Sequence, residues 1–127
     1  MNSGPVVREL FSREDRLRKR REFEECYASG VRVSGRHLQF FAKQRPGEGE
    51  ARLGISVPRR AGKAVERNRL RRRVRELFRR NRSALAPGSI DLVIQCRPGA
   101  TRATFSELLA DYLETAGRLR SRAARQR

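Results

Sequence analysis

GKAVERNRLRRRVRELFRRNR, running from Gly62 to Arg82, is the stretch that organises the 127-residue chain. From Arg67 to Arg82 it carries nine arginines and one glutamate in sixteen residues. Wound as an α-helix at ~100° per residue, it gathers Leu70, Val74, Leu77 and Phe78 into one arc. That arc is wide enough to seat the helix on a core. Arg69, Arg71, Arg72, Arg73, Arg75, Arg79, Arg80 and Arg82 sweep the rest of the circumference. Arg67 lies at the edge of the apolar stripe, and Asn68 in the middle of the basic face.

A solvated helix usually alternates its charges, with Glu three or four residues from Lys or Arg. Here the like charges stand at those spacings and repel by a few tenths of a kcal/mol per pair. Such a face makes sense when an external polyanion neutralises it. Arginine suits that partner, because its planar fork makes bidentate phosphate contacts and stacks on bases. The helix therefore reads as a nucleic-acid-binding element.

Composition agrees. The net charge is +17, and of 31 basic residues only Lys19, Lys43 and Lys63 are lysine. An excess of that size implies a polyanionic partner. No apolar run approaches the ~20 residues that span a bilayer. The opening MNSGPVVRELF lacks the basic-then-apolar order of a signal peptide, so an intracellular protein is expected. Cys26 and Cys96 stand 70 positions apart and match neither a metal-ligand spacing nor a redox pair. Both read as buried free thiols.

Along the chain, residues 1–12 read as a loose arm. A first helix is expected to start between Ser12 and Glu22 and to end near Ser29, with Gly30 as its cap. Phe23, Cys26 and Tyr27 share one face of it, a spacing that favours core roles. Val31 to Val33 is a short extended piece. Arg36 to Lys43 alternates, placing Leu38 and Phe40 on the core face and Phe41 among polar residues. Phe41 is then either a stacking platform for unpaired bases or an aromatic covered by a helix. Leu53, Ile55 and Val57 alternate with Gly54 and Ser56, a shallow strip that a single strand could approach closely. Pro58 ends that strand, and Arg59, Arg60 and Lys63 put positive charge at its mouth. After the arginine helix, Ile90 to Cys96 reads as a buried strand. Thr104 and Glu107 form a capping-box signature ahead of an apolar stripe of Phe105, Leu108, Leu109, Tyr112, Leu113, Ala116 and Leu119. The chain then grades into a basic tail over 120–127, expected to be mobile. The whole is one RNA-binding domain over 1–127, with an α+β sandwich architecture: one small sheet, helices over one face and the other face partly open.

Catalytic chemistry is hard to build from these residues. One histidine, His37, rules out a His pair or a Cys–His dyad. The carboxylates form no Asp-x-Asp or similar metal pair, and no Walker-type loop follows a strand. No catalytic residue and no protein-bound metal are expected. The chain reads as a binder of RNA.

Arg59-Arg60-Ala61-Gly62-Lys63-Ala64-Val65-Glu66-Arg67-Asn68-Arg69, continuing through Arg71-Arg72-Arg73-Val74-Arg75-Glu76, resembles the signature of the bacterial ribonuclease P protein component, and the likeness runs from about Leu17 to Leu119. The resemblance implies an α-β-β-β-α-β-α fold with a four-stranded sheet and the arginine helix in a left-handed βαβ crossover, against the usual hand. It implies a bacterial cytoplasmic protein that binds ribonuclease P RNA and precursor tRNA, with no membrane and no further protein partner. The two subunits would remove the 5′ leader of the precursor, the RNA and its Mg2+ ions carrying out the hydrolysis. Arg67, Asn68, Arg69, Arg71, Arg72 and Arg75 would face the catalytic RNA. Phe23, Tyr27, Phe41, Arg59, Arg60 and Lys63 would line the cleft for the single-stranded leader. Arg60, where the family often has lysine, and Arg73, where it often has an apolar residue, depart from the pattern.

Two other readings share the charge and size: a structural RNA-binding protein such as a ribosomal one, and a DNA-binding helix. An aromatic on an open strand face fits the first less well. The second lacks base-reading side chains on the exposed helix face. An RNA complex formed through these arginines should weaken steeply with salt. Log K is expected to fall with log salt by roughly 0.7–0.9 per phosphate contacted, and a flat salt titration would contradict the assignment.

Overall fold

The computed structural model describes residues 16–17, 19–47, 49–85 and 88–125. The expected arm over 1–12 and the last two residues of the expected tail lie outside them. Among the described residues three α-helices and four strands follow the order α1 (Arg20–Ser29), β1 (Val31–Ser34), β2 (Leu38–Gln44), β3 (Arg52–Ser56), α2 (Ala64–Arg80), β4 (Ile90–Cys96) and α3 (Phe105–Arg125). This is the expected α-β-β-β-α-β-α order. The sheet runs β1-β2-β4-β3, antiparallel except for the parallel pair β3 and β4. Helix α2 is thus the crossover of a βαβ unit joining neighbouring strands.

Strand alternation divides the sheet into two chemically different faces. Leu38, Phe40 and Ala42 of β2, Leu53 of β3 and Leu92, Ile94 and Cys96 of β4 point into the main core. There they meet Leu70, Val74, Leu77 and Phe78 of α2 and Leu108, Tyr112, Ala116 and Leu119 of α3. Leu70, Val74, Leu77 and Phe78 are each at most 2% exposed. On the other face, Phe41 and Val93 form a smaller cluster with Cys26 and Phe23 of α1 and with Leu17. The parallel bridge between Arg16 and Leu53, with the Leu17 N–H donating to the Leu53 carbonyl, lays the incoming chain along the free edge of β3.

Local signals explain the element boundaries. The Lys63 N–H donates to the Glu66 carboxylate at 2.8 Å, opening α2, and the Asn81 side-chain amide donates to the Leu77 carbonyl at its end. Thr104 and Glu107 exchange reciprocal bonds of 2.8 and 3.1 Å, the expected capping box of α3. Gly30 ends α1 for a different reason than expected. Its φ is −81°, which any residue adopts, but a Cβ there would lie 2.5 Å from the Cys26 carbonyl oxygen and 2.8 Å from that of Ala42. Close approach, not a left-handed turn, requires the glycine.

Helix α3 departs from expectation at two places. Phe105 and Leu113 lie on its exposed side, 36% and 42% accessible, so the buried stripe is narrower than the apolar periodicity. The helix also continues through Arg125 instead of dissolving into a tail. Arg118 and Arg122 donate to the Ser34 and Arg32 carbonyls and so moor it to the edge strand β1. Among the described residues no helix is long and apolar enough to cross a membrane.

One buried carboxylate fixes the β1–β2 connection. Asp111 of α3 is 8% exposed and accepts from the backbone N–H groups of Arg36, His37 and Leu38 at 2.8–2.9 Å. Bonds to a charged acceptor contribute more than neutral ones, and removing it strands three donors. Asp111→Ala should lower unfolding stability by about 3 kcal/mol or more in urea denaturation. A loss under about 1 kcal/mol would show that the turn is held by something else.

Candidate nucleic-acid interface

The expected RNA-facing residues fall on one side of α2, but their chemistry is graded. Arg69 and Arg72 are exposed, and Arg67 and Arg71 are half-buried. Arg67 donates to the Gly62 carbonyl and Arg71 to the Asn68 side-chain oxygen, at 3.1 and 3.2 Å. These contacts fix side-chain direction without cancelling charge. The helix's two carboxylates are occupied elsewhere. Glu66 caps the start of the helix, and Glu76 pairs with Arg79 and Arg80. The face from Arg67 to Arg75 therefore has no carboxylate partner among the described residues.

Arg75 shows the resulting repulsion. Partial burial, and then the neighbouring cations Arg16, Arg71 and Arg72, pull its guanidinium below the usual arginine range. Four arginines crowd where the incoming chain passes α2, an arrangement that a phosphate would relieve. Arg16 belongs to this group, yet sequence periodicity could not find it, since it sits on no regular element. Arg73 resolves its own ambiguity. Half-buried, it reaches past the apolar stripe to donate to the Ala103 carbonyl at 3.3 Å.

The second sheet face carries three transverse rows, set by strand register. Lys43, Asp91 and Arg52 form one row, Arg32, Phe41, Val93 and Gly54 the next, and Ser34, Gln39, Gln95 and Ser56 the third. Helix α1 covers the first two. Its Glu22 pairs with Arg52 and its Glu25 with Lys43, at 3.1 and 3.7 Å, while Asp91 takes Arg52 and Arg45 at 2.8 and 2.9 Å. The Cys26 thiol donates to the Asp91 carbonyl, and burial pushes it up to about 11. Cys96 is pushed up to about 12, also by burial. Both thiols stay protonated at neutral pH, as buried structural cysteines do.

Coverage by α1 redistributes the aromatic roles. Phe41 is 9% exposed, its ring under the edge of Tyr27 at 4.8 Å and beside the Arg32 guanidinium at 5.9 Å. The covering-helix alternative thus holds for most of Phe41. Of the three rings on this face, Tyr27, 38% exposed, is the one that faces solvent. Phe23 is half-buried over Gly54, so the shallow strip on β3 is filled by a phenyl ring and closed to a strand at that point.

Two members of the third row, Gln39 and Gln95, line a cleft of about 210 Å³ together with Pro58, Arg60, Cys96, Arg97 and Pro98. Pro58 leads into a single 3-10 turn, Arg59–Ala61, that runs into α2, so the cleft mouth and the arginine face are continuous. The Thr101 hydroxyl donates to the Ala61 carbonyl at 2.8 Å and braces that turn against the far wall. Arg59, Arg60 and Lys63 are exposed around it. Gln39 and Gln95 went unread in the sequence because each is only a polar position in its own strand. The register brings them together.

A Cβ on Gly54 would meet the Phe23 ring at 2.6 Å. Gly54→Ala should displace Phe23 and α1 and cost about 1–3 kcal/mol by overpacking. Chemical shifts of α1 that stay in place in the variant would show that the ring has room to move.

Comparisons with known proteins agree on one family. The model of the ribonuclease P family matches residues 11–120. The ribonuclease P protein component of Syntrophobacter fumaroxidans is 36% identical over 116 residues, covering 87% of this chain and 95% of that one. That of Geobacillus thermodenitrificans is 34% identical, covering 84% and 90%. The solved ribonuclease P protein of Thermotoga maritima superposes with a TM-score of 0.72 at 33% identity, over 81% of this chain and 96% of that one. The Staphylococcus aureus protein gives 0.72 at 27% identity, over 80% and 91%. With a family match over residues 11–120, relatives more than 30% identical across most of their length and a shared fold, the chain belongs to the bacterial ribonuclease P protein component family.

Proposed function

We propose that the arginine face of α2 binds the catalytic RNA while the cleft beside α1 holds the single-stranded 5′ leader of precursor tRNA. As a ribonuclease P protein component the chain serves tRNA processing. The division of labour rests on one observation. A basic helix face without carboxylate partners among the described residues runs through the Arg59–Ala61 turn to a cleft lined by amides, prolines and Arg60, and the Tyr27 ring stands exposed on α1. A polyanionic duplex suits the first, and unpaired bases suit the second.

Arg67, Asn68, Arg69, Arg71, Arg72 and Arg75 meet phosphates of the RNA subunit. Tyr27 offers a ring for base stacking, with Phe41 and Phe23 supporting it from below. Arg59, Arg60 and Lys63 hold the leader's phosphates at the mouth. Mature tRNA has no leader, so the cleft adds affinity only for substrate and favours it over product.

The residues present do not suit a resident metal. Among the described residues no three His, Cys, Asp or Glu side chains gather as ligands. Glu22, Glu66, Glu76, Asp91 and Asp111 are committed to ion pairs and backbone N–H groups. The Mg2+ ions of the reaction belong on the RNA subunit, and the protein acts by charge neutralisation and placement.

Tyr27→Ala and Phe41→Ala should each weaken holoenzyme binding of leader-bearing precursor by roughly tenfold, the scale of one lost base stack. Mature tRNA should bind as before. Equal losses for precursor and mature tRNA would take the leader out of the cleft.

A further inference from the structure

We propose that the C-terminal half of α3, together with the outer edge of β1, is a second RNA-binding surface, which grips a double-stranded segment of the RNA subunit distinct from the one met by α2. The inference takes from the reading above only that the RNA subunit is the partner. It adds a face of the molecule to which neither the arginine helix nor the cleft contributes.

Arg118, Arg122 and Arg125 recur at i, i+4 and i+7, so they share one face of α3, and all three are exposed. The fold fixes two of them. Four helical residues rise about 6 Å and two strand residues span about 7 Å, so one turn of α3 keeps step with alternate residues of β1. The Arg118 guanidinium donates to the Ser34 carbonyl at 2.7 Å, and that of Arg122 to the Arg32 carbonyl. These are the carbonyls that an edge strand turns outward. A neutral carbonyl orients a guanidinium without cancelling its charge, and one such bond takes one of its five N–H donors. Two oriented cations thus stand along the strand edge, and Arg32 adds a third, exposed beside the Phe41 ring.

Local stability does not explain this stripe. Attraction to the helix C-terminus favours cations in the last turn, where Arg122 and Arg125 stand, but Arg118 lies a turn earlier. The pairs 118–122 and 122–125 repel at helical spacing. Glu114 approaches Arg118 at 3.9 Å, an exposed pair of little strength. Arg122 and Arg125 have no carboxylate partner among the described residues.

Position selects the occupant. In the order β1-β2-β4-β3, β1 is the edge opposite β3, where Arg16 joins Arg71, Arg72 and Arg75 of α2. Three strand spacings, about 14 Å, separate the two edges, and they face away from each other. An RNA helix lying on one edge therefore does not lie on the other. The stripe also leads away from the cleft, since Ser34 stands opposite the cleft residue Gln39 and Arg122 lies beyond it at Arg32. No aromatic residue follows Tyr112 in the chain, so the surface offers phosphate contacts without stacking, the manner in which duplex RNA is held.

The test is binding and hydroxyl-radical footprinting of the full-length RNA subunit with the wild type and with a variant combining Arg118→Gln, Arg122→Gln and Arg125→Gln. Glutamine keeps a donor for the β1 carbonyls and removes the charge. The wild type should protect two separate segments, and the variant should lose one of them while its log–log salt slope falls by about 2–3, roughly one phosphate per arginine. Arg69→Gln with Arg72→Gln should remove the other segment only, so that failure of the α2 reading and failure of the edge are told apart by which footprint persists. Should thermal melting show that the triple variant unfolds, Arg125→Gln, which moors nothing, carries the decision with a fall in slope of about 0.9. A wild type that protects a single segment would overturn the proposal, as would a folded edge variant with unchanged slope and footprint. Weaker binding of precursor tRNA with RNA-subunit affinity intact would also overturn it, by placing the substrate on this edge.

Discussion

Four buried side chains, Leu70, Val74, Leu77 and Phe78, hold a helix that would not persist by itself. Within α2, six pairs of arginines stand three or four residues apart, 69–72, 72–75, 67–71, 69–73, 71–75 and 75–79. Their repulsion amounts to about 2 kcal/mol at a few tenths per pair. Burying the four apolar side chains contributes about 6–12 kcal/mol, at 1.5–3 each. The core therefore wins, and it holds the unneutralised charges in a fixed arc on the outer side. Preorganised charge of this kind strengthens association with a polyanion, because the arginines' repulsion is met during folding and relieved on binding.

The same core fixes the second surface. Helices α2 and α3 occupy one face of the sheet, so the remaining polar and aromatic residues face α1. Helix α1 is tied down by Glu22 and Glu25 at one end of that face, where Asp91, Arg52 and Arg45 form a charged cluster. Removing one partner of such a shielded group leaves a charge without compensation, so the cluster specifies where α1 lies more than it adds stability. At the far end Gln39 and Gln95 border the cleft. Its mouth is the turn that leads into α2.

Much of this was legible in the sequence because period and capping chemistry are local. The stripe of α2, the strand Ile90–Cys96, the Thr104–Glu107 cap and the placement of Leu38 and Phe40 against Phe41 all follow from spacing alone. What escaped was decided by partners distant in sequence. Phe41 reads as a free platform until α1 is laid over it, and Gly54 as open space until Phe23 fills it. Phe105 and Leu113 fit the helical period but fall beyond the reach of the sheet. The tail looked mobile by composition, yet Arg122 donates to the Arg32 carbonyl of β1. The arginine cluster and the cleft mouth were visible early, since both lie within the contiguous run from Pro58 to Arg82. The amide floor was not, because it exists only once β2 and β4 pair.

The most direct test of the account is cleavage of a leader-bearing precursor tRNA by bacterial ribonuclease P RNA at low magnesium, with and without this protein. Neutralisation of phosphates by the α2 face and capture of the leader should together raise cleavage strongly over the RNA alone, and the gain should fade as magnesium is increased. Tight RNA binding with no stimulation at any magnesium concentration would contradict it, leaving a protein that binds RNA without placing substrate.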